Sequence, residues 1–95
     1  MDLKIKNKNA LITGGSRGLG KEAAIHLARE GVNIAICGRS EESLNLTINE
    51  IENYGVKAFK LICDVSELST INSMYQYFVE EMGEIDILVN NVGGT

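Results

Sequence analysis

The sequence Asn9-Ala10-Leu11-Ile12-Thr13-Gly14-Gly15-Ser16-Arg17-Gly18-Leu19-Gly20 decides the fold, because a short apolar run enters a glycine-rich turn there and a helical pattern leaves it. Gly14 directly follows the apolar run and can adopt a positive φ. Gly18 and Gly20 carry no Cβ that would keep a diphosphate away from backbone N–H groups. Since a helix N-terminus offers unpaired N–H donors and the positive end of the helix dipole, this pattern predicts a phosphate-binding turn.

Beyond the turn, helical patterns alternate with apolar, strand-like runs. Strands are predicted over residues 32–37, 56–63 and 85–89, after the first strand that ends at Thr13. Glycines are expected to end the three intervening helices, and Ser40 to cap the second. The residues predicted to form the apolar faces are Leu19, Ala23, Ala24, Leu27 and Ala28 in the first helix, Leu44, Ile48 and Ile51 in the second, and Ile71, Met74, Tyr75, Phe78 and Met82 in the third.

This alternation, without a hairpin signal, predicts an α/β fold with a parallel sheet and right-handed crossovers. In a doubly wound sheet the strand order would be 3-2-1-4, with the first two helices on one face and the third on the other. The chain would then be the N-terminal half of a Rossmann-type sheet, incomplete on its own. Ligands bind where the strand order reverses, so residues 14–20 and 90–94 should line one crevice.

Composition narrows the class of protein. The chain has 95 residues, 44% of them hydrophobic and 23% charged, with a net charge of -4. These values are typical of one globular domain and argue against a nucleic-acid partner. No run is long enough to span a membrane and no secretory signal is present, so a cytoplasmic location is expected. His26 is the only histidine, hence no metal site is predicted, and Cys37 and Cys63 are expected to be free thiols in apolar strands.

The pattern Thr13-Gly14-x-x-x-Gly18-x-Gly20 resembles the cofactor-binding motif of the short-chain dehydrogenase/reductase family. Asp64-Val65 is similar to the family's pair that contacts the adenine ring, although an aspartate that simply begins the third helix would look the same. Asn90-Asn91-Val92-Gly93 resembles the family's N-N-A-G motif, with Val92 in place of the usual alanine. Within the family, the chain is most similar to bacterial 3-oxoacyl-acyl-carrier-protein reductases.

The resemblance implies a site for a nicotinamide dinucleotide. Its expected residues are Gly14, Ser16, Arg17, Gly18, Leu19, Gly20, Arg39, Asp64, Val65, Asn90, Asn91, Val92 and Gly93. Gly38 stands where an acidic residue of the family would bind the adenosine ribose, and Arg39 follows it. A guanidinium there, with Arg17, would pair a 2'-phosphate, which favours NADP(H) over NAD(H). The alternative is that Arg39 is an ordinary solvated loop arginine.

The resemblance also implies a function, the transfer of a hydride between NADP(H) and a carbonyl or alcohol. The substrate of the complete protein would be a small molecule or an acyl-carrier thioester, and that protein is expected to be a homo-oligomer. The family's proton transfer uses a serine and a Tyr-x-x-x-Lys pair. Tyr54, Tyr75 and Tyr77 are not followed by lysine at that spacing, so no catalytic residue is predicted before Thr95 and residues 1–95 are expected to be inactive alone. A non-catalytic nucleotide-binding regulatory module and an inactive fragment remain alternatives.

Overall fold

The computed structural model describes residues 5–14, 18–63 and 68–90 of the chain. Strands and helices alternate along it, as the sequence predicts. The elements are β1 (Asn9–Thr13), α1 (Gly18–Arg29), β2 (Asn33–Gly38), α2 (Glu41–Glu52), β3 (Ala58–Ile62), α3 (Leu68–Met82) and β4 (Ile87–Asn90). Among these helices none is both long enough and apolar enough to cross a bilayer.

The strands form one parallel sheet in the order β3-β2-β1-β4. β1 is paired on both sides, so that Thr13 lies beside Cys37 of β2 and beside Asn90 of β4. The predicted doubly wound order 3-2-1-4 is therefore confirmed. Because successive strands are added on opposite sides of β1, the carboxyl ends of β1 and β4 form the switch point of the sheet.

Two apolar layers cover the sheet, one on each face. The alternation of side chains along a strand divides each strand between the two layers. The layer under α1 and α2 contains Ala10, Ile12, Ala24, Ala28, Val32, Ile34, Ile36, Leu44 and Ile51. The layer under α3 contains Leu11, Ala35, Cys37, Met74 and Phe78. The predicted division of the helices, two on one face and one on the other, is thus correct.

Of the predicted core residues whose side chains the structure describes, Leu19 and Tyr75 are exposed, and Ala23 is half-buried and belongs to neither layer. The side chain of Ile71 lies outside the described part of the chain. Leu19 is 73% exposed and Tyr75 is 42% exposed. The buried face of α1 passes through Gly20, Ala24 and Ala28. Each residue of a helix is rotated by about 100° from the one before it, so Leu19 points away from that face, and Tyr75 is rotated in the same way from the buried Met74.

The helix ends agree with the predicted signals. The Ser40 side chain accepts a hydrogen bond from the Ser43 N–H, at 3.3 Å, as an N-cap does. Positive φ values occur at Gly31, Gly55 and Gly83, just beyond the ends of the three helices. The last strand differs from the prediction, because it begins at Ile87 rather than at residue 85.

Candidate functional site

Positive φ values occur at both glycines that flank residues 15–17 after β1. Gly14 has a φ of 68° and Gly18 a φ of 64°, a region that side chains with a Cβ adopt at a cost. The Gly14 N–H donates to the Cys37 carbonyl, at 3.0 Å, which holds the turn against the end of β2. Gly20 lies in the first turn of α1, where it is buried. The turn therefore leads from the end of β1 into the N-terminus of α1.

The end of β4 lies beside the start of this turn. Thr13 and Asn90 are register partners across the β1–β4 pair. The Thr13 hydroxyl is 3.0 Å from Asn90 Oδ1 and 3.5 Å from the Val89 carbonyl, and Thr13 itself is only 4% exposed. An amide oxygen accepts but does not donate, so the hydroxyl donates to Asn90 and fixes which way that amide faces.

Thr13 was missing from the predicted site residues, although it belongs to the same motif. Its role is to position Asn90 through the Thr13–Asn90 hydrogen bond. Thr13 could have been found from the sequence, because it ends one predicted strand and Asn90 follows the expected neighbouring strand. The sequence does not predict the strand register, however, and only the register places the two residues opposite each other.

Arg39 and Leu19 both face solvent at this end of the sheet. Arg39 is exposed and directly follows Gly38, the last residue of β2. The Gly38 carbonyl accepts the Cys63 N–H, at 2.8 Å, so the end of β2 is joined to the segment that follows β3. Leu19 is exposed in the first turn of α1. The Arg39 guanidinium after β2 and the Leu19 side chain at the start of α1 are therefore both exposed to solvent, and the strands that precede them, β2 and β1, are adjacent.

The other predicted site residues lie outside the described part of the chain. They are Ser16 and Arg17 in the glycine turn, Asp64 and Val65 after β3, and Asn91, Val92 and Gly93 after β4. Each of these segments continues from a described end: Gly14, Cys63 and Asn90 respectively. The sheet order places the first and last of these ends on adjacent strands.

The buried thiol of Cys37 lies on the opposite side of the sheet from α1. Burial, and to a smaller extent the neighbouring Cys63, raise its pKa to about 12. Cys37 is therefore a neutral, apolar group at ordinary pH. Both cysteines are free, as predicted. Over residues 5–14, 18–63 and 68–90, no three His, Cys, Asp or Glu side chains are grouped so that they could hold a metal ion.

Known proteins are similar to this chain in sequence and in fold. The family model for short chain dehydrogenases matches residues 8–95. The 3-oxoacyl-(acyl-carrier-protein) reductase FabG of Staphylococcus epidermidis is 38% identical over 90 residues, which are 94% of this chain and 37% of that protein. The chain spans about a third of the length of the curated relatives it matches.

Solved structures give the same result. L-sorbose reductase from Gluconobacter frateurii, complexed with NADPH and L-sorbose, superposes with a TM-score of 0.91 at 32% identity, over 98% of this chain and 36% of that one. NAD+-bound xylitol dehydrogenase superposes with a TM-score of 0.85 at 30% identity, over 90% of this chain and 33% of that one. Because the family model matches residues 8–95, nearly the whole chain, the chain belongs to the short-chain dehydrogenase family.

Proposed function

We propose that this chain is the NADP(H)-binding part of a short-chain oxidoreductase that transfers a hydride between the cofactor and a carbonyl or alcohol. The observation that carries the proposal is the pair of positive-φ glycines, Gly14 and Gly18, at the N-terminus of α1 and beside the end of β4. The similar proteins named above are reductases and a dehydrogenase, which favours an oxidoreductase over a non-catalytic module.

The described residues fit a dinucleotide diphosphate. Among the described residues, no side chain or distant backbone atom lies within 4 Å of a Cβ added at Gly18, so these residues leave room for a ligand where α1 begins. A diphosphate in that space would receive backbone N–H donors and the positive end of the α1 dipole. Gly14, Gly18 and Gly20 would let the backbone approach it, with Ser16 and Arg17 in the same turn. Leu19, exposed in the first turn of α1, would cover part of the bound nucleotide.

The other strand ends would hold the rest of the cofactor. Asp64 and Val65 would contact the adenine ring, and residues 90–93 would pass the nicotinamide ribose. The Thr13–Asn90 hydrogen bond supports this assignment, since it presents the Asn90 amide in one orientation. When bound, the nicotinamide supplies the hydride chemistry. Proton transfer would fall to a serine and a Tyr-x-x-x-Lys pair beyond Thr95 in a complete protein, which we propose is a homo-oligomer acting on a small molecule or an acyl-carrier thioester.

Two glycines provide a matched test of the phosphate site. Gly18 and Gly55 both have positive φ, 64° and 81°, and neither has an atom within 4 Å of an added Cβ. Gly18→Ala and Gly55→Ala should therefore cost a similar backbone strain, about 1–2 kcal/mol in a urea titration. Gly55 lies past the far end of α2, so only Gly18→Ala should also weaken cofactor binding, by about tenfold or more.

Fluorescence or calorimetric titration of NADPH against both variants decides this proposal. An equal cofactor affinity in Gly18→Ala and Gly55→Ala would contradict it, because the α1 N-terminus would then not hold the diphosphate. Equal stabilities of the two variants in urea would show that the difference in affinity is not caused by unfolding.

Arg39 tests the preference between the two cofactors. Its guanidinium is exposed at the end of β2, and a charge-assisted hydrogen bond to a 2'-phosphate contributes about 1.5–3 kcal/mol before solvent screening. Arg39→Asp removes this bond and adds a carboxylate that repels the phosphate but can accept from the ribose hydroxyls of NAD(H). We expect the ratio of the two dissociation constants to shift toward NAD(H) by about tenfold to a hundredfold. A parent protein that already prefers NAD(H), or an unchanged ratio, would make Arg39 a bystander.

A further inference from the structure

Three sulfur atoms from three elements meet on the α3 face of the sheet. Cys37 belongs to β2, Cys63 follows the last residue of β3, and Met74 belongs to α3. The Cys37 Sγ lies 3.0 Å from the Met74 Sδ, which can only accept the thiol proton. Cys63 lies close enough to Cys37 to contribute to the raised pKa of the Cys37 thiol. The two thiols therefore lie near each other in one layer of the core.

Strand register explains this proximity. Cys37 is the register partner of Leu61, and Cys63 lies two residues beyond Leu61, hence on the same face of the sheet. Both cysteines pack in the apolar layer under α3. They differ in access to solvent, since Cys37 is completely buried whereas Cys63 is only half-buried. Of the two cysteines, Cys63 is therefore the more accessible to a soluble reagent.

We propose that Cys37 and Cys63 are an oxidisable thiol pair, in which Cys63 reacts first with a disulfide such as glutathione disulfide and Cys37 then closes a reversible intramolecular disulfide. In the first step the Cys63 thiolate attacks one sulfur of glutathione disulfide and releases one glutathione thiolate. In the second step Cys37 loses its proton to that thiolate or to water and attacks Cys63 Sγ, which expels the second glutathione. Two protein thiols are oxidised, and one glutathione disulfide is reduced to two glutathione molecules.

The assignment of roles follows from burial and charge. Burial raises the pKa of Cys37, which makes it a poor first nucleophile. The charge of a Cys63 thiolate raises that pKa further, but this contribution disappears once Cys63 is capped by glutathione. Capping therefore makes the second step easier.

Geometry explains why the disulfide would be readily reversed. Neighbouring strands lie about 4.8 Å apart and two residues advance about 6.6 Å along a strand, so residues placed diagonally have Cα atoms roughly 8 Å apart, whereas a relaxed disulfide needs about 5.5–6 Å. Cys63 must move toward β2 to close the bond, which strains the hydrogen bond from the Cys63 N–H to the Gly38 carbonyl. A bridge formed under such constraint is more easily reduced than a relaxed one.

Peptide mapping without reduction tests the proposal on the purified protein. After incubation with glutathione disulfide and an acid quench, trypsin should release residues 30–39, which contain Cys37, cross-linked to the peptide that begins at Leu61. Reduced glutathione in excess should separate the two peptides again. Recovery of both peptides with free thiols, or of Cys63 carrying glutathione that Cys37 never displaces, would overturn the proposal.

Three variants assign the order of the steps. Cys37→Ala should retain one glutathione on Cys63, because the resolving thiol is gone. Cys63→Ala should leave Cys37 unmodified until denaturant is added. Met74→Leu keeps the core volume and both thiols, so its cross-link should persist. Glutathione on Cys37 in folded Cys63→Ala, at the rate seen for Cys63 in the unmodified protein, would overturn the assigned order. Circular dichroism verifies that each variant is folded.

Discussion

The two ends of the same sheet are built from different chemistry. At the amino ends of the strands, side-chain amides of Asn9 and Asn33 bond to backbone groups of neighbouring segments. At the carboxyl ends, positive-φ glycines begin the helix that follows β1, and Thr13 orients Asn90. The difference indicates that the amino end fixes how the strands are arranged, while the carboxyl end is where we propose that the cofactor binds.

The amino end is joined across the whole sheet through Asn9. Its side-chain amide donates to the carbonyls of Met82 and Glu84, at 3.0 and 2.9 Å, and its backbone N–H donates to the Asp86 carboxylate, at 2.9 Å. Its Oδ1 accepts from Asn33, at 3.2 Å, and the Asn33 Oδ1 in turn accepts from the Lys57 N–H, at 3.0 Å. The bonds therefore run from the segment before β4, through β1 and β2, to the segment before β3.

The largest expected effect is a loss of stability in Asn9→Ala. This change removes three side-chain hydrogen bonds and leaves two carbonyls to be satisfied by water, so we expect the free energy of unfolding to fall by about 2–3 kcal/mol. Cofactor affinity, measured where the variant is fully folded, should stay within about twofold of the parent. Urea titration and NADPH titration measure the two quantities.

Asn49→Ala is the matched control, since Asn49 is exposed on α2 and its replacement should change stability by less than about 0.5 kcal/mol. If Asn9→Ala weakened cofactor binding as strongly as it weakened folding, the two ends of the sheet would not have separate roles.

Local patterns in the sequence predict most of the fold but little of the amino end. The parallel sheet follows from the alternation of short apolar runs and amphipathic helices, and its strand order follows once the sheet is taken to be doubly wound. The helix ends follow from Ser40 and from glycines such as Gly55. The bonds of Asn9 join residues more than 70 positions apart, to Met82 and Glu84. No local pattern contains such a contact, because it exists only after the strands have paired.

Two errors show why apolar patterns leave the details open. Ile85 was assigned to a strand because it is apolar, and it does pack against the core, but the structure places it in the segment before β4. The apolar pattern also predicts Leu19 in the core, yet its side chain is 73% exposed. An exposed apolar residue has the same local sequence signal as a core residue, so only the position of the helix's buried face separates the two.

Thr13→Val is expected to reduce stability less than Asn9→Ala does, but to reduce cofactor affinity more. Valine keeps the shape of threonine but cannot donate to Asn90, so stability should fall by only about 1 kcal/mol. The Asn90 amide would lose its fixed orientation, and we expect cofactor affinity to fall by about three- to tenfold. Thr13→Ser retains the hydroxyl and serves as the control, in which affinity should be restored. An unchanged affinity in Thr13→Val would remove Thr13 from the proposed site.

The smallest expected effect concerns Ser40, which stands next to Arg39 at the carboxyl end but serves α2 rather than the ligand. Its side chain accepts the Ser43 N–H at 3.3 Å in an exposed setting, so Ser40→Ala should cost about 0.5–1 kcal/mol of stability. Ser40→Gly should cost only a few tenths of a kcal/mol, because glycine is itself tolerated at an N-cap.

Ser40→Ala also tests whether two adjacent residues at the carboxyl end, Arg39 and Ser40, contribute separately to cofactor binding and to stability. Cofactor affinity should stay within about twofold of the parent, in contrast to the shift expected for the neighbouring Arg39→Asp. If Ser40→Ala shifted the ratio of the NADPH and NADH dissociation constants as Arg39→Asp does, the shift would come from movement of the segment between β2 and α2. The guanidinium would then not be the group that selects the cofactor, and Arg39→Lys, which keeps the positive charge, would leave the ratio unchanged.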